Sequence, residues 1–484
     1  MSGIAGQPAS QLSRRIAGQG ALLFSGFAGS QGMSFLRNAI LGHALAKGDF
    51  GIAATLTLLL QLLDSLTDLG ADRLIVQAAD GDEPRFVATQ HSALVLRGFV
   101  IGLLLFVASG SIASFFSIPE AAWAFAAIAL VPVIKGFQHL DPRRAQRTLN
   151  NRPFMLVEVL PQAAALGLTL PAVKLFPGYA AVVWLSFAQA IVTLAVSHLV
   201  AERRYALAFD GAILKRLIEF GWPIWLSAFP LVAVYHGDRI LIGRLFGMEE
   251  LAGYSAAFMI AMVPGLIAAK VGHALMLPLF TAAKDRPAIL AQRFAAMAEA
   301  TALVASAYLA TAMLVGGFIL EIAFGPNYRG LGAVTAWLAL MWSLRMLQAV
   351  PGMALMAAGE TKPFLVAGLI RATALLPAGL AASWGFGLEA IAAAGVAGEL
   401  GSLAYVTHRL DRGMAGLSLI FAKRALFLVP AAIAAGLTLW FTAADGAPLV
   451  RSAALALSLA MICALGLTLF PAMRTRVRSA VFPA

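Results

Sequence analysis

The sequence predicts an all-α polytopic membrane protein of about fourteen transmembrane helices, and three observations support this. Of its 484 residues, 60% are hydrophobic and 12% charged, about half the charge of a soluble domain. Apolar stretches of about twenty residues, enough to cross a bilayer core, recur along the chain with no polar domain between them. The net charge of +11 is concentrated in alternate hydrophilic breaks, a sign of membrane topology and not of a nucleic-acid groove.

The spans follow in order. The first, 19–41, is preceded by Arg14 and Arg15 and is too long and too polar for a cleaved signal. The second is 51–71. Spans 91–116 and 119–139 meet at Ile118-Pro119-Glu120, where their combined length requires a reversal, and 154–174 and 178–201 complete a first set. A second set covers 218–242, 251–275, 297–323, 331–352, 364–384 and 387–408, and two more spans lie at 423–443 and 449–470. The expected organisation is a cytoplasmic segment 1–18, an N-lobe 19–201, a linker 202–217, a C-lobe 218–408, two further helices within 423–470 and a basic tail 471–484. Inner breaks carry roughly four times as many Lys and Arg as outer ones, among them Lys135, Arg143, Arg144, Arg147, Arg203, Arg204, Arg409 and Arg412, which places both termini in the cytoplasm. Short loops leave no room for an extramembrane catalytic domain.

Little points to catalysis. The single cysteine, Cys463, excludes an intrachain disulfide framework and reads as a small buried hydrophobe. Phosphate-loop, zinc-protease and nucleophile-elbow motifs are missing. The seven histidines look scattered, so no enzyme activity, metal or cofactor is expected.

Polar residues inside the spans carry the functional reading, because a charge at mid-bilayer costs about 2.5–3.5 kcal/mol and usually faces a cavity or a partner. Thr57, Gln61, Asp64 and Asp68 recur at helical spacing on one face of the second span. Gly26, Ser30, Ser34 and Arg37 do so on the first, predicting a water-filled cavity between the two. Arg345, Arg371 and Glu399 sit at similar depth on spans ten to twelve. Arg371 and Glu399 suit a structural ion pair, whereas Arg345 lacks an acidic neighbour in its own or the next span and leads the functional candidates. Lys270 lies near the inner end of its span, and Arg239 adjoins Asp238. Pro223, Pro230, Pro264, Gly265, Pro351 and Gly352 are expected to break or bend helices. A shift of 202 residues maps Arg37 onto Arg239 and Gly51 onto Gly253, hinting at two six-helix repeats in parallel orientation.

Three stretches carry a family resemblance: Phe220-Gly221-Trp222-Pro223, Gly237-Asp238-Arg239-Ile240-Leu241-Ile242-Gly243 and Leu251-Ala252-Gly253-Tyr254-Ser255-Ala256-Ala257. They resemble the polysaccharide transporter, or oligosaccharide flippase, family of the multidrug/oligosaccharidyl-lipid/polysaccharide exporter superfamily. The first lobe departs from the pattern, with Leu36 before Arg37 where an acidic partner would sit. The resemblance implies V-shaped lobes around a central cleft exposing the faces of Asp64 and Arg345. It also implies alternating access that moves an undecaprenyl-diphosphate-linked oligosaccharide from the cytoplasmic to the periplasmic leaflet of the inner membrane. Arg345, Arg371, Arg37, Arg239 and Lys270 would then grip the diphosphate, and Asp64, Asp68, Gln61 and Glu399 would supply cavity polarity or coupling. Partners would be the lipid-linked oligosaccharide, membrane lipids and polysaccharide assembly enzymes, with no nucleic acid. A cation-coupled drug exporter using Asp64 or Asp68, and a membrane-embedded glycan polymerase or acyltransferase, are the alternatives.

Overall fold

The computed structural model describes residues 9–414, 416–430, 432, 433, 436 and 448–470, with side chains described except at 9–17, 269–271, 273–274, 448–454 and 467. No strand occurs among the described residues, as the bilayer requires: a helix satisfies its backbone N–H and C=O groups within the segment.

The helices are α1 (Ala9–Ala44), α2 (Lys47–Leu66), α3 (Ala71–Gln77), α4 (Pro84–Phe115), α5 (Ala122–Ile128), α6 (Leu130–Gly136), α7 (Asp141–Arg144), α8 (Arg152–Leu175) and α9 (Ala180–Leu199). There follow α10 (Gly211–Leu245), α11 (Met248–Thr281), α12 (Pro287–Phe324), α13 (Gly332–Ala357), α14 (Lys362–Thr373), α15 (Leu375–Ser383), α16 (Leu388–Gly413), α17 (Leu417–Ala425) and α18 (Pro448–Leu469). Eleven segments among the described residues are long and apolar enough to cross a membrane, and they match the second to twelfth expected spans in order. The first expected span falls inside α1 and the fourteenth on α18. Nearly half of the thirteenth (431, 434, 435 and 437–443), like the tail, lies outside the described residues. The protein is a multi-pass membrane protein.

Two features differ from expectation, the first in where the helices break and not in whether prolines bend them. The helices α10, α11 and α13 run continuously through Pro223, Pro230, Pro264 and Pro351. The interruptions fall elsewhere, at Ala129 between α5 and α6 and at Ala374 between α14 and α15. Each has a proline three residues on, Pro132 and Pro377, whose missing N–H leaves the carbonyl of Ile128 or Thr373 without its usual donor. Cys463 is exposed on α18 and not buried, an ordinary place for an apolar side chain where lipid is the solvent.

The chain packs as two compact units, residues 1–232 with 242–252, and 233–241 with 253–484. In the first unit α1 lies on α8 and α8 on α9, and Gly26 lets α1 close on Met155 of α8. The segment joining α9 to α10 is extended, and Asp210 starts α10 by accepting the backbone N–H of Ala212 at 3.0 Å. Polar fastenings hold the loops at this end. Arg147 caps α3 through the carbonyls of Ile75 and Ala78, at 2.7 and 2.5 Å. Asp82 accepts from Arg144 and Arg203. Burial alone would raise the Asp141 carboxyl, but the Arg144 guanidinium and the Glu202 N–H outweigh it and hold that carboxyl below the usual range. In the second unit α13 packs between α12 and α16.

One close approach fixes the start of α2. A Cβ on Gly51 would stand 1.9 Å from the Met248 carbonyl oxygen, and Thr55, one turn on, is fully buried with its hydroxyl 3.0 Å from the Gly51 carbonyl. Gly51→Ala should therefore push backbone against backbone, lowering stability by about 1–3 kcal/mol. A depressed unfolding temperature in detergent, with Gly48→Ala unaffected, is the expected outcome.

Candidate functional site

The predicted polar cavity is present in the first unit, and it is larger than two stripes would make it. A space of about 230 Å³ is lined by Gln31, Ser34, Arg37 and Asn38 of α1 and by Thr57, Gln61 and Asp64 of α2, with Gln189 of α9 opposite. The upper part of the α1 stripe is used differently: Gly26 packs on Met155. A second space of about 510 Å³ opens beside it, walled by α2, α4, α6, α8 and α9. Asp64, Lys135, Gln162 and Gln189 line both, so the two form one polar region.

The carboxylates of that region are already matched. Asp64 accepts from Arg97 Nη2 at 2.7 Å, and the same nitrogen reaches the Asp64 carbonyl at the end of α2. Asp68 lies beyond the end of α2 and off the predicted stripe, where it accepts the Gly70 N–H at 2.8 Å and pairs with Arg73 at 3.2 Å. Arg143 serves both Asp72 at 3.5 Å and Glu158 at 3.8 Å. Two cations remain. Arg37 donates to the neutral Gln189 amide at 2.9 Å, and among the described residues neither Arg37 nor Lys135 has an ion pair. Lys135 reads in the sequence as one more charge of an inner break. Its position three residues after Pro132, whose missing N–H accompanies the interruption at Ala129, was the available signal of a second role.

Arg345, Arg371 and Glu399 of the second unit form a buried network. Arg345 has no acidic neighbour in its own or the next span, as expected, but Glu399, two spans away, corrects the inference that it stands unpaired. Arg345 Nε donates to Glu399 Oε1 at 2.8 Å and its Nη2 meets the same oxygen. Arg371 Nε donates to Oε2 at 2.8 Å, so the expected Arg371–Glu399 pair is present within a triad. One turn on, Gln348 on α13 and Ser402 on α16 add a second rung at 3.0 Å, and Arg371 Nη2 donates to Gln348 Oε1 at 2.6 Å. The Arg345 guanidinium also lies over the rings of Trp342 and Tyr235, at 4.6 and 4.9 Å. Glu399 is 1% exposed. The adjoining space is only about 40 Å³.

Arg239 belongs to this interior as well. It meets the Tyr235 carbonyl, lies 3.0 Å from His236 Nδ1 and covers the Phe258 ring. Asp238 does not pair with the Arg239 side chain. It accepts the Arg239 backbone N–H at 2.8 Å and the Tyr254 hydroxyl at 2.7 Å. Arg37, in an open polar cavity, and Arg239, in a packed one, thus have unlike surroundings despite their 202-residue correspondence. Lys270 lies on α11, its side chain outside the described residues.

The histidines are less scattered than their spacing suggests. His91, His139 and His198 meet around Tyr205, with ring centroids 4.9 and 5.3 Å apart along the series. His91 Nε2 accepts the Leu140 N–H and Nδ1 therefore donates to the Ala206 carbonyl. His139 Nδ1 accepts the Asp141 N–H and Nε2 donates to the Arg203 carbonyl. Burial pushes the His139 imidazole below its usual range. With both nitrogens of two rings engaged, the cluster fastens loops. Among the described residues no group of His, Cys, Asp and Glu could hold a metal ion.

Comparison with known proteins adds to this geometry. A profile described as polysaccharide biosynthesis protein matches residues 40–333. The chain is 23% identical over 257 residues to the succinoglycan biosynthesis transport protein of Rhizobium meliloti, covering 52% of this chain and 51% of that one. It is 24% identical over 297 residues to the teichuronic acid biosynthesis protein of Bacillus subtilis, covering 60% and 61% respectively. The matches thus span about half to three fifths of those relatives' lengths. Among solved structures, the fold resembles the lipid II flippase in its inward closed conformation, with a TM-score of 0.69 at 10% identity, covering 92% of this chain and 99% of the other. It also resembles an inward-facing multidrug resistance MATE family transporter of the MOP superfamily, with a TM-score of 0.62 at 14% identity, covering 79% and 95%.

The shared carboxylate yields a stability prediction. Glu399→Ala leaves two buried guanidiniums without a counter-charge and should destabilise the protein by about 3–5 kcal/mol. Folded protein recovered from membranes should fall sharply, and Arg345→Ala in the same chain should restore part of the loss.

Proposed function

The chain belongs to the polysaccharide biosynthesis protein family, whose members of this kind are membrane transporters, and from that premise we propose that it flips an undecaprenyl-diphosphate-linked oligosaccharide. The direction is from the cytoplasmic to the periplasmic leaflet of the inner membrane, by alternating access, with both termini cytoplasmic. One observation carries this reading. In the polar region of the first unit every lining carboxylate has an arginine within 4 Å, whereas Arg37 and Lys135 have no ion pair among the described residues.

The roles follow from the chemistry. A diphosphate presents anionic oxygens to Arg37 and Lys135, and charge-assisted hydrogen bonds strengthen where water is scarce. The amides of Gln31, Asn38, Gln61, Gln162 and Gln189 each offer a donor and an acceptor, as sugar hydroxyls require. The polyprenyl tail has no need of the cavity and stays in the bilayer. Polysaccharide assembly enzymes would supply the lipid-linked oligosaccharide and consume it after flipping.

Arg345, Arg371 and Arg239 hold partners of their own beside a space too small for a glycan diphosphate, so in this reading they serve the second unit's packing. Lys270 stays a candidate on sequence alone. The pairing of Asp64 with Arg97 weighs against its being the free carboxylate that a cation-coupled drug exporter would use.

The test is transport of a lipid-linked oligosaccharide per unit of inserted protein. Lys135→Gln and Arg37→Gln should each lower it by about tenfold or more, the scale of one lost charge-assisted hydrogen bond. Lys135→Arg should keep most of it, with membrane abundance unchanged throughout. Full transport by both Gln variants at normal abundance would remove the first-unit cavity from the proposal.

A further inference from the structure

The buried network of Arg239, Arg345, Arg371, Asp238 and Glu399 in the second unit holds more positive charge than its carboxylates balance, and we propose that it binds one small inorganic anion, of the chloride class, against Arg345 and Arg371. The inference is independent of the transported substrate. Three guanidiniums, Arg239, Arg345 and Arg371, are set around two carboxylates, Asp238 and Glu399, on helices α10, α13, α14 and α16. Arginine does not lose its proton in proteins. The network therefore carries at least one excess positive charge among the described residues, and protonating Asp238, Glu399 or His236 only increases it. Four apolar membrane-crossing segments contain these groups, so the excess is costly where it stands.

The carboxylates are not free to answer it. Both oxygens of Glu399 are taken, one by Arg345 and one by Arg371. Both oxygens of Asp238 are taken, one by the Arg239 N–H and one by the Tyr254 hydroxyl. Donors, in contrast, are left over. Arg345 Nη1 and Arg239 Nε are buried with no hydrogen-bond partner among the described residues. Tyr235 flanks the Arg345 guanidinium with its ring and interacts with it through its hydroxyl, but a phenol brings no counter-charge.

A small space adjoins the Arg345 and Arg371 side chains. A space of about 40 Å³ is bounded by Asp238, Tyr254, Arg345, Arg371, Leu375 and Glu399. One water needs about 10–15 Å³ of such space, so a monoatomic anion fits and a phosphate diester does not. The apolar wall formed by Leu375, Ala378 and Ile391 suits a large, weakly hydrated halide better than a multiply charged oxyanion.

The test uses the full-length protein purified in detergent, at one ionic strength, in sodium chloride, bromide or gluconate. Chloride should raise the unfolding temperature over gluconate along a saturable curve. Arg345→Gln should abolish that dependence. Glu399→Gln, which adds one more net positive charge beside the site, should lower the chloride midpoint by about tenfold or more. A second readout does not require the Glu399 variant to fold. Bromide quenches tryptophan on contact, and the Trp342 ring lies 4.6 Å from the Arg345 guanidinium carbon. Bromide should therefore quench a saturable fraction of the emission that Trp342→Phe removes. Identical unfolding in chloride and gluconate, or strictly linear quenching, would mean that water fills the space and would overturn the proposal.

Discussion

A charged side chain inside a bilayer must find either a counter-charge or water, and the whole arrangement of polar groups in this protein follows from that requirement. Arg345 and Arg371 meet it by sharing Glu399. Asp64, Asp72 and Glu158 meet it with arginines at the wall of a polar cavity. Arg37 and Lys135 meet it by facing the cavity itself. The same rule thus separates groups matched by a neighbouring charge from groups that face open polar space.

The separation divides the two units. In the second, α13 and α16 carry a two-rung polar ladder, Arg345–Glu399 and Gln348–Ser402, embedded in close packing around Trp342. In the first, polar groups of α1, α2, α4, α6, α8 and α9 surround open space, and glycine contacts such as that of Gly98 with the Pro132 carbonyl bring α4 close to α6 at its edge. Arg37 and Arg239, related in the sequence by the 202-residue shift, have unlike surroundings.

The spans were legible in the sequence because each is decided locally, by about twenty residues of composition. The paired cavity stripes of α1 and α2 were legible for the same reason: helical periodicity alone puts Ser34 with Arg37 and Gln61 with Asp64. What periodicity cannot supply is the partner of a charge. Arg345 looked unpaired because Glu399 is 54 residues away and meets it only through the packing of α13 on α16. Charge counting assigned Lys135 to topology, and only the folding of α6 against α4 and α9 shows it lining a cavity. The histidine cluster is likewise built from α4, α9 and the loop after α6. The helix interruptions were misplaced for a different reason. Proline marks where a donor is missing, and packing decides whether the helix yields there, as at Pro132 and Pro377, or continues, as at Pro223 and Pro230.

The most direct measurement is to place a photo-crosslinking residue at Gln162, which lines both parts of the first-unit cavity, and at Ser402, buried in the second-unit ladder. Each full-length protein is then irradiated in cells making lipid-linked oligosaccharide. Covalent capture of the lipid-linked saccharide at position 162 and none at position 402 is the expected result. Capture at 402 with none at 162, in proteins that still transport, would contradict a substrate path through the first unit.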